Sequence, residues 1–160
     1  MTTPPRPSRG DTALWPLVYA ERAALAADLT ALTEDQWATP SLCEGLTVRE
    51  VLAHLTAETL DPAPRPPGTT SRHCGSDRQA RMRLSRHLGT TPADTLARFC
   101  RVITTRADPR LPVPPILAEL TAHGEHIRHP LAIPHPHDIR TLTQAAAPSA
   151  PTWRPAHPAD

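Results

Sequence analysis

The chain has 160 residues, a length that fits a single domain with a modest hydrophobic core. Its 17 Lys and Arg residues nearly balance its 16 Asp and Glu residues, so the formal net charge is only +1. Such a charge does not draw the protein toward nucleic acid or an anionic membrane. We therefore expect a small-molecule partner and no nucleic-acid or membrane partner.

The N-terminus and the cysteines indicate a cytoplasmic protein. No apolar run approaches the roughly 20 residues that span a bilayer, and residues 1–10 are rich in Pro and Arg without the apolar stretch of a signal peptide. Cys43, Cys74 and Cys100 lie far apart with no CxxC pair. We interpret them as ordinary reduced thiols, because neither a disulfide framework nor a zinc ribbon is indicated.

The first elements are a long helix and a short one. Asp11 is a candidate N-cap, and an apolar stripe follows it until about Thr33, which predicts a helix over 11–33. Thr33 and Gln36 have capping-box spacing and predict a short helical turn over 33–37.

A stronger capping box opens the next helix. Thr47 is followed three residues later by Glu50, and apolar residues then recur at helical spacing. This pattern predicts a helix over 47–60. Residues 61–75 contain four prolines and are predicted to form a flexible loop.

Two further helices are predicted before residue 109. An arginine-rich segment over 76–89 ends at Gly89 and has few apolar residues. Thr91, Pro92 and Asp94 then combine an N-cap, a proline at the first helical position and an acid in the first turn. They predict a well-formed helix.

After a Pro-rich connection over 109–115, a helix is predicted to continue until Pro130 closes it. Its core-facing positions recur at spacings of four, three and four and are Ile116, Leu120, His123 and Ile127. A histidine therefore occupies a position that faces the core.

No segment alternates apolar and polar residues as a strand does, so an all-α fold is predicted. A last amphipathic piece is predicted over 136–147. We divide the chain into a disordered N-terminus over 1–10, a helical bundle over 11–147 and a disordered Pro/Ala-rich tail over 148–160.

Glu119 and His123 are candidate metal ligands. They are four residues apart on one predicted helix, so their side chains leave the same face. Such a pair is more often a hydrogen-bonded couple than a metal site. His54 helps to distinguish a hydrogen-bonded couple from a metal site. It lies within an apolar helix, where an unpaired imidazole is costly to bury. Its partner is either a backbone or carboxylate group or a shared metal ion, and spacing alone does not decide.

Two separate motifs resemble one known family. The segment PSLCEGLTVREVLAHL at 40–55 resembles the opening motif of mycothiol-dependent maleylpyruvate isomerase-type proteins, a branch of the DinB metalloenzymes. The segment HGEHIRHPL at 123–131 is similar to the family's HGEDIRRPLG segment. The resemblance extends over about 12–147 and is weak across 61–110.

The resemblance implies a DinB-like four-helix bundle with short extra helices, in which His54, Glu119 and His123 bind zinc or a similar divalent ion. It also implies that mycothiol, a low-molecular-weight thiol, coordinates the metal as a thiolate and attacks a small electrophilic substrate, giving transferase or isomerase chemistry. Arg128 is a candidate for holding an anionic group of cofactor or substrate, and its other interpretation is a solvated side chain that compensates the helix dipole. The sequence does not distinguish a monomer from a homodimer.

The chain departs from the family pattern near both motifs. The substituted positions are Leu46 for Trp, His126 for Asp, His129 for Arg and Ala132 for Gly. In addition, residues 148–160 are too few to build the C-terminal α/β domain of the full isomerases, so maleylpyruvate isomerisation itself is not expected. Cys43 matches the first motif. Its two interpretations are a residue that approaches the metal and a packed loop residue, and we prefer the second.

Two alternatives remain open. The histidines near His123 form a His-rich stretch that binds transition metals without catalysis, and they are His126, His129, His135 and His137. Glu125 and His126 are candidates for hydrogen-bond partners of a metal ligand or for acid–base groups. As neighbours of His123 on one helix they are expected to point away from it and to be exposed, so we assign them no primary role. The second alternative is a non-catalytic metal-binding bundle with a binding or stress-related role.

Overall fold

The computed structural model describes residues 9–62, 78–106 and 112–147. The helices in these ranges are α1 (Arg9–Asp28), α2 (Glu34–Trp37), α3 (Val48–Leu60), α4 (Arg78–His87), α5 (Pro92–Cys100), α6 (Val113–Arg128) and α7 (Ile139–Ala145). A 3-10 helix, His129–Leu131, follows α6 directly. The described ranges contain no strand, which confirms the all-α prediction. The predicted tail over 148–160 and most of the predicted loop over 61–75 lie outside the described residues.

Four helices form a closed ring around the core. α1 packs against α5 and α6, and α3 packs against the same two helices from the opposite side. α4 lies against α3 and α7 lies against α6, so both flank the bundle. The side chains at the centre are fully buried, and they include Val18, Leu25, Val51, Leu52, Phe99, Leu117 and Ile127. Burial of this apolar surface is the main force that holds α3 and α6 together.

Local capping signals set the helix starts that were predicted. Thr33 caps α2 and Thr47 caps α3, and each forms a complete capping box with the residue three positions later. Thr91 caps α5 by accepting a hydrogen bond from the backbone N–H of Asp94, with Pro92 at the first helical position. Each cap satisfies backbone donors that have no partner inside the helix.

Three predicted boundaries are wrong. α1 begins at Arg9 and ends at Asp28, five residues before Thr33. The chain tightens there, because the Thr30 N–H bonds to Ala27 O, three residues back. α6 begins at Val113, within the predicted connection over 109–115, because its first turn tolerates prolines. α7 is shorter than 136–147, since Asp138 caps it by accepting from the Arg140 N–H at 2.7 Å.

A left-handed residue turns the chain back after α6. Ala132 has φ 53° and ψ 35°, a conformation that glycine adopts far more easily than alanine. The Ile133 N–H then bonds to Arg128 O at 3.1 Å, which closes the helix end. This geometry explains why the similar family motif has glycine at the position of Ala132. The reversal directs residues 133–138 toward α1.

Candidate metal centre

His54 is held inside the bundle by α3. The helix starts at the Thr47 capping box and buries nearly every side chain from Val51 to Ala57. The His54 imidazole is only 7% exposed. A polar ring in this position requires a polar partner, because burial without one is costly.

α6 contributes the second pair of side chains. His123 is 3% exposed, and its Nε2 atom lies 3.2 Å from Glu119 Oε2. The spacing of four residues places both groups on one helix face, as predicted. The Glu119 side chain is 23% exposed, so the carboxylate is the most accessible of the three predicted ligands.

The packing of α3 on α6 brings the two remote histidines together. The ring centroids of His54 and His123 are 5.0 Å apart, and the rings meet edge to face at 84°. His123 therefore contacts His54 on one helix and lies beside Glu119 on its own. In a tetrahedral zinc site with bonds of about 2.0–2.2 Å, neighbouring ligand atoms are roughly 3.3–3.6 Å apart. The 3.2 Å separation of His123 Nε2 and Glu119 Oε2 is close to that spacing.

A loop presses against the other side of His123. Cys43 Sγ lies 3.6 Å from His123 Nδ1 and 3.1 Å from His126 Nδ1. The Leu42 N–H bonds to His126 O at 3.1 Å, which ties this loop to α6. The Sγ atom and the two imidazole nitrogens form a group of suitable size for a metal ion.

We do not count Cys43 among the metal ligands. Cys43 is buried, as predicted for a packed loop residue, but its sulfur takes part in a disulfide bond. The interpretation of the cysteines as reduced thiols is therefore wrong for Cys43. It holds for Cys100, which is free and exposed. A sulfur in a disulfide is not a thiolate, and the thiolate is the form that binds metals.

His126 contacts His123, so the expectation that it points away from the ligand is wrong. A separation of three residues places it on the same helix face as His123, and the two Nδ1 atoms are 3.4 Å apart. Burial lowers the pKa of His126 below its ordinary value of 6.5, and the neighbouring His123 lowers it further. A neutral His126 has one ring nitrogen available to accept a hydrogen bond from His123 Nδ1–H. A metal-binding histidine commonly donates its second N–H to such a partner, which fixes the ring orientation.

Arg128 is not a solvated side chain. It is 1% exposed, with Nε 2.8 Å from Asp28 Oδ2 and Nη1 3.7 Å from Glu125 Oε1. Its guanidinium folds back over Gly124, where an added Cβ would lie only 3.0 Å from Nη1. Within the described part of the chain its Nη2 atom has no hydrogen-bond partner. The assignment of Arg128 to an anionic cofactor group stays a prediction.

Among the helices that the structure describes, none is both long and apolar enough to span a bilayer.

Comparison with known proteins identifies one family. A family model described as the mycothiol maleylpyruvate isomerase N-terminal domain matches residues 18–115, more than half of the 160-residue chain. The match includes His54 and the loop of Cys43, and it ends before Glu119. Neither the curated proteins nor the solved structures include a match to this chain.

Proposed function

Because the chain belongs to the mycothiol maleylpyruvate isomerase N-terminal domain family, we propose that it is a metal-dependent enzyme with thiol transferase or isomerase-like chemistry. The thiol is mycothiol, and the substrates are small electrophilic molecules. His54, Glu119 and His123 hold the metal, and zinc suits a set of two imidazoles and one carboxylate. The observation that carries the proposal is the position of His123, beside Glu119 and in edge contact with His54.

Three protein ligands leave a coordination position open, which is typical of catalytic rather than structural zinc sites. A bound divalent ion lowers the pKa of a coordinated thiol or water, so that a nucleophile is available near neutral pH.

Side chains of the bundle surround the open coordination position. The two imidazoles are almost completely buried, which excludes water from the inner side of the site. Glu119 is partly exposed, so small molecules reach the site from its side of α6. With His126 as acceptor of a hydrogen bond from His123 Nδ1–H, the Nε2 atom of His123 is free to bind the ion.

A second candidate function is a non-catalytic metal-binding bundle. The deep burial of His54 and His123 favours it, because a site that holds an ion only for stability needs no access for substrate. The changed residues of the second motif, including His126, favour it as well.

Removal of the metal tests the two candidates. We expect the purified full chain to contain zinc and to conjugate mycothiol with small electrophiles. Treatment with a chelator should abolish turnover, and stoichiometric zinc should restore it, because the nucleophile depends on the ion. Metal content is measured by plasma mass spectrometry and conjugation by loss of free thiol, with cysteine in place of mycothiol as the control.

Bound metal without turnover for any electrophile would contradict the enzyme and support the non-catalytic bundle. A chain that takes up no stoichiometric metal would contradict both candidates.

A further inference from the structure

A second group of metal-binding side chains lies outside the proposed centre. Glu21 is on α1, and His135 and His137 are in the segment that follows the reversal at Ala132. His135 Nε2 is 3.4 Å from Glu21 Oε2, and His137 Nδ1 is 3.3 Å from Glu21 Oε1. The two imidazole rings meet edge to face, with centroids 4.6 Å apart. One ligand atom from each residue lies within 4.8 Å of the others.

The cluster is buried rather than spread over the surface. The side-chain exposures are 8% for Glu21, 15% for His135 and 11% for His137. A carboxylate held this far from water requires positive charge or several hydrogen-bond donors near it. The two imidazoles are the groups that face it.

Each ring nitrogen of His137 faces a carboxylate. His137 lies between two carboxylates, with Nδ1 toward Glu21 and Nε2 2.9 Å from Glu125 Oε1. A neutral imidazole has a single N–H and donates to only one of them, whereas an imidazolium donates to both. A cation bound at Nδ1 would leave the N–H on Nε2, where it donates a hydrogen bond to Glu125.

The surroundings resemble the outer shell of a metal site. Glu125 accepts from His137 and also lies 3.7 Å from Nη1 of the buried Arg128. Arg128 is in turn fixed by Asp28 at 2.8 Å. Carboxylate partners of this kind orient metal-binding imidazoles and increase their basicity. Glu21 faces each histidine with a different carboxylate oxygen, and each of the two distances is of the size of the roughly 3.3–3.6 Å between neighbouring ligand atoms of a tetrahedral zinc ion.

We propose that Glu21, His135 and His137 form a second divalent transition-metal site, which shares no ligand with the proposed catalytic centre. Two imidazoles and one carboxylate select zinc, cobalt or nickel over magnesium or calcium, which prefer oxygen ligands. The ion links α1 to residues 133–138 and so fastens the chain that leads into α7. Its function is structural, because it holds two segments that are more than 110 residues apart.

The test isolates the second site by removing the first. The full chain carrying His54→Ala is titrated with zinc, and binding is followed by calorimetry and by metal analysis after desalting. We expect this variant to retain one tightly bound ion per chain. Addition of Glu21→Gln or of His135→Ala should abolish that binding, while Glu125→Gln should weaken it by about 10-fold to 100-fold. Cobalt in place of zinc should give the intense visible absorption of a four-coordinate ion.

His129→Ala is the matched control, because His129 is exposed and belongs to the same His-rich stretch. It should leave zinc binding unchanged. Circular dichroism verifies that each variant folds, and His135→Ala, at the most exposed of the three ligands, is the substitution that disturbs packing least.

Two results would overturn the second site. The His54→Ala chain could bind no zinc, or its zinc could survive both Glu21→Gln and His135→Ala, which would indicate ordinary binding by surface histidines. Failure of the proposed catalytic centre would give a different result. The unaltered chain would then bind a single ion, which Glu21→Gln removes and His54→Ala does not.

Discussion

Replacing His54 with alanine is expected to reduce zinc affinity at the catalytic centre, and mycothiol conjugation with it, by more than about 100-fold. Changes to residues that merely orient a metal ligand already cost about 10-fold to 100-fold. Loss of one of three ligands costs more, because the ion retains only Glu119 and His123. Conjugation should fall in parallel, since the reacting thiol depends on the ion.

The helical content of this variant should remain close to that of the unaltered protein. The ring of His54 occupies one position on α3, and the neighbouring core residues Val51, Leu52 and Leu55 stay in place. Circular dichroism measures the helicity, and thiol consumption measures turnover in the presence of added zinc. His129→Ala, an exposed change on the His-rich stretch, should keep full activity. Wholesale unfolding of His54→Ala would contradict an open catalytic site and indicate a structural metal.

The largest effect on stability is expected from Arg22→Met. Arg22 lies on α1, is 3% exposed and donates from Nη1 to Val102 O at 2.9 Å and Thr105 O at 2.7 Å. Its Nη2 donates to Thr59 Oγ1 on α3 at 3.0 Å. Burial lowers the pKa of Arg22 to about 10, so the side chain is still charged at pH 7. The guanidinium therefore joins α1 to α3 and to the carbonyls just beyond α5.

Methionine keeps much of the volume of Arg22 but removes all of these donors. Val102 O keeps the hydrogen bond from the Thr105 N–H, but Thr105 O and Thr59 Oγ1 lose the Arg22 donors. Polar groups that lose a buried partner cost about 1–3 kcal/mol each, and we expect a loss of about 3 kcal/mol in the free energy of unfolding. For a chain of this size that corresponds to roughly 6–12 °C in Tm. Urea unfolding and differential scanning calorimetry give both quantities.

Arg86→Met is the matched control for Arg22. Arg86 has 65% side-chain exposure and a 3.5 Å contact with Asp61. Exposed ion pairs contribute about 0–1 kcal/mol, so this change should be nearly neutral. Equal destabilisation by the two substitutions would contradict the role assigned to Arg22.

Sequence reasoning succeeded where the information is local. The capping boxes at Thr33 and Thr47 and the cap at Thr91 each involve residues within four positions, and the structure confirms all three. The shared face of Glu119 and His123 also follows from helix periodicity alone. The contact of His54 with His123 required the family resemblance, because it depends on how α3 packs against α6.

The features that were missed depend on contacts between distant parts of the chain. Arg128 is buried because Asp28, 100 residues away, pairs with it and Gly124 leaves room for it. The cluster of Glu21 with His135 and His137 forms because the chain reverses at Ala132. An alanine in the left-handed conformation gives no signal in a single sequence. The one available clue was that the similar family motif has glycine there.

Anomalous diffraction at the zinc edge, from crystals of the zinc-loaded full chain, tests the central claim most directly. We predict a peak between the side chains of His54, Glu119 and His123, about 2.0–2.2 Å from one atom of each. A zinc-loaded crystal with no peak among these three side chains would contradict the proposed metal centre, whatever the second site contains.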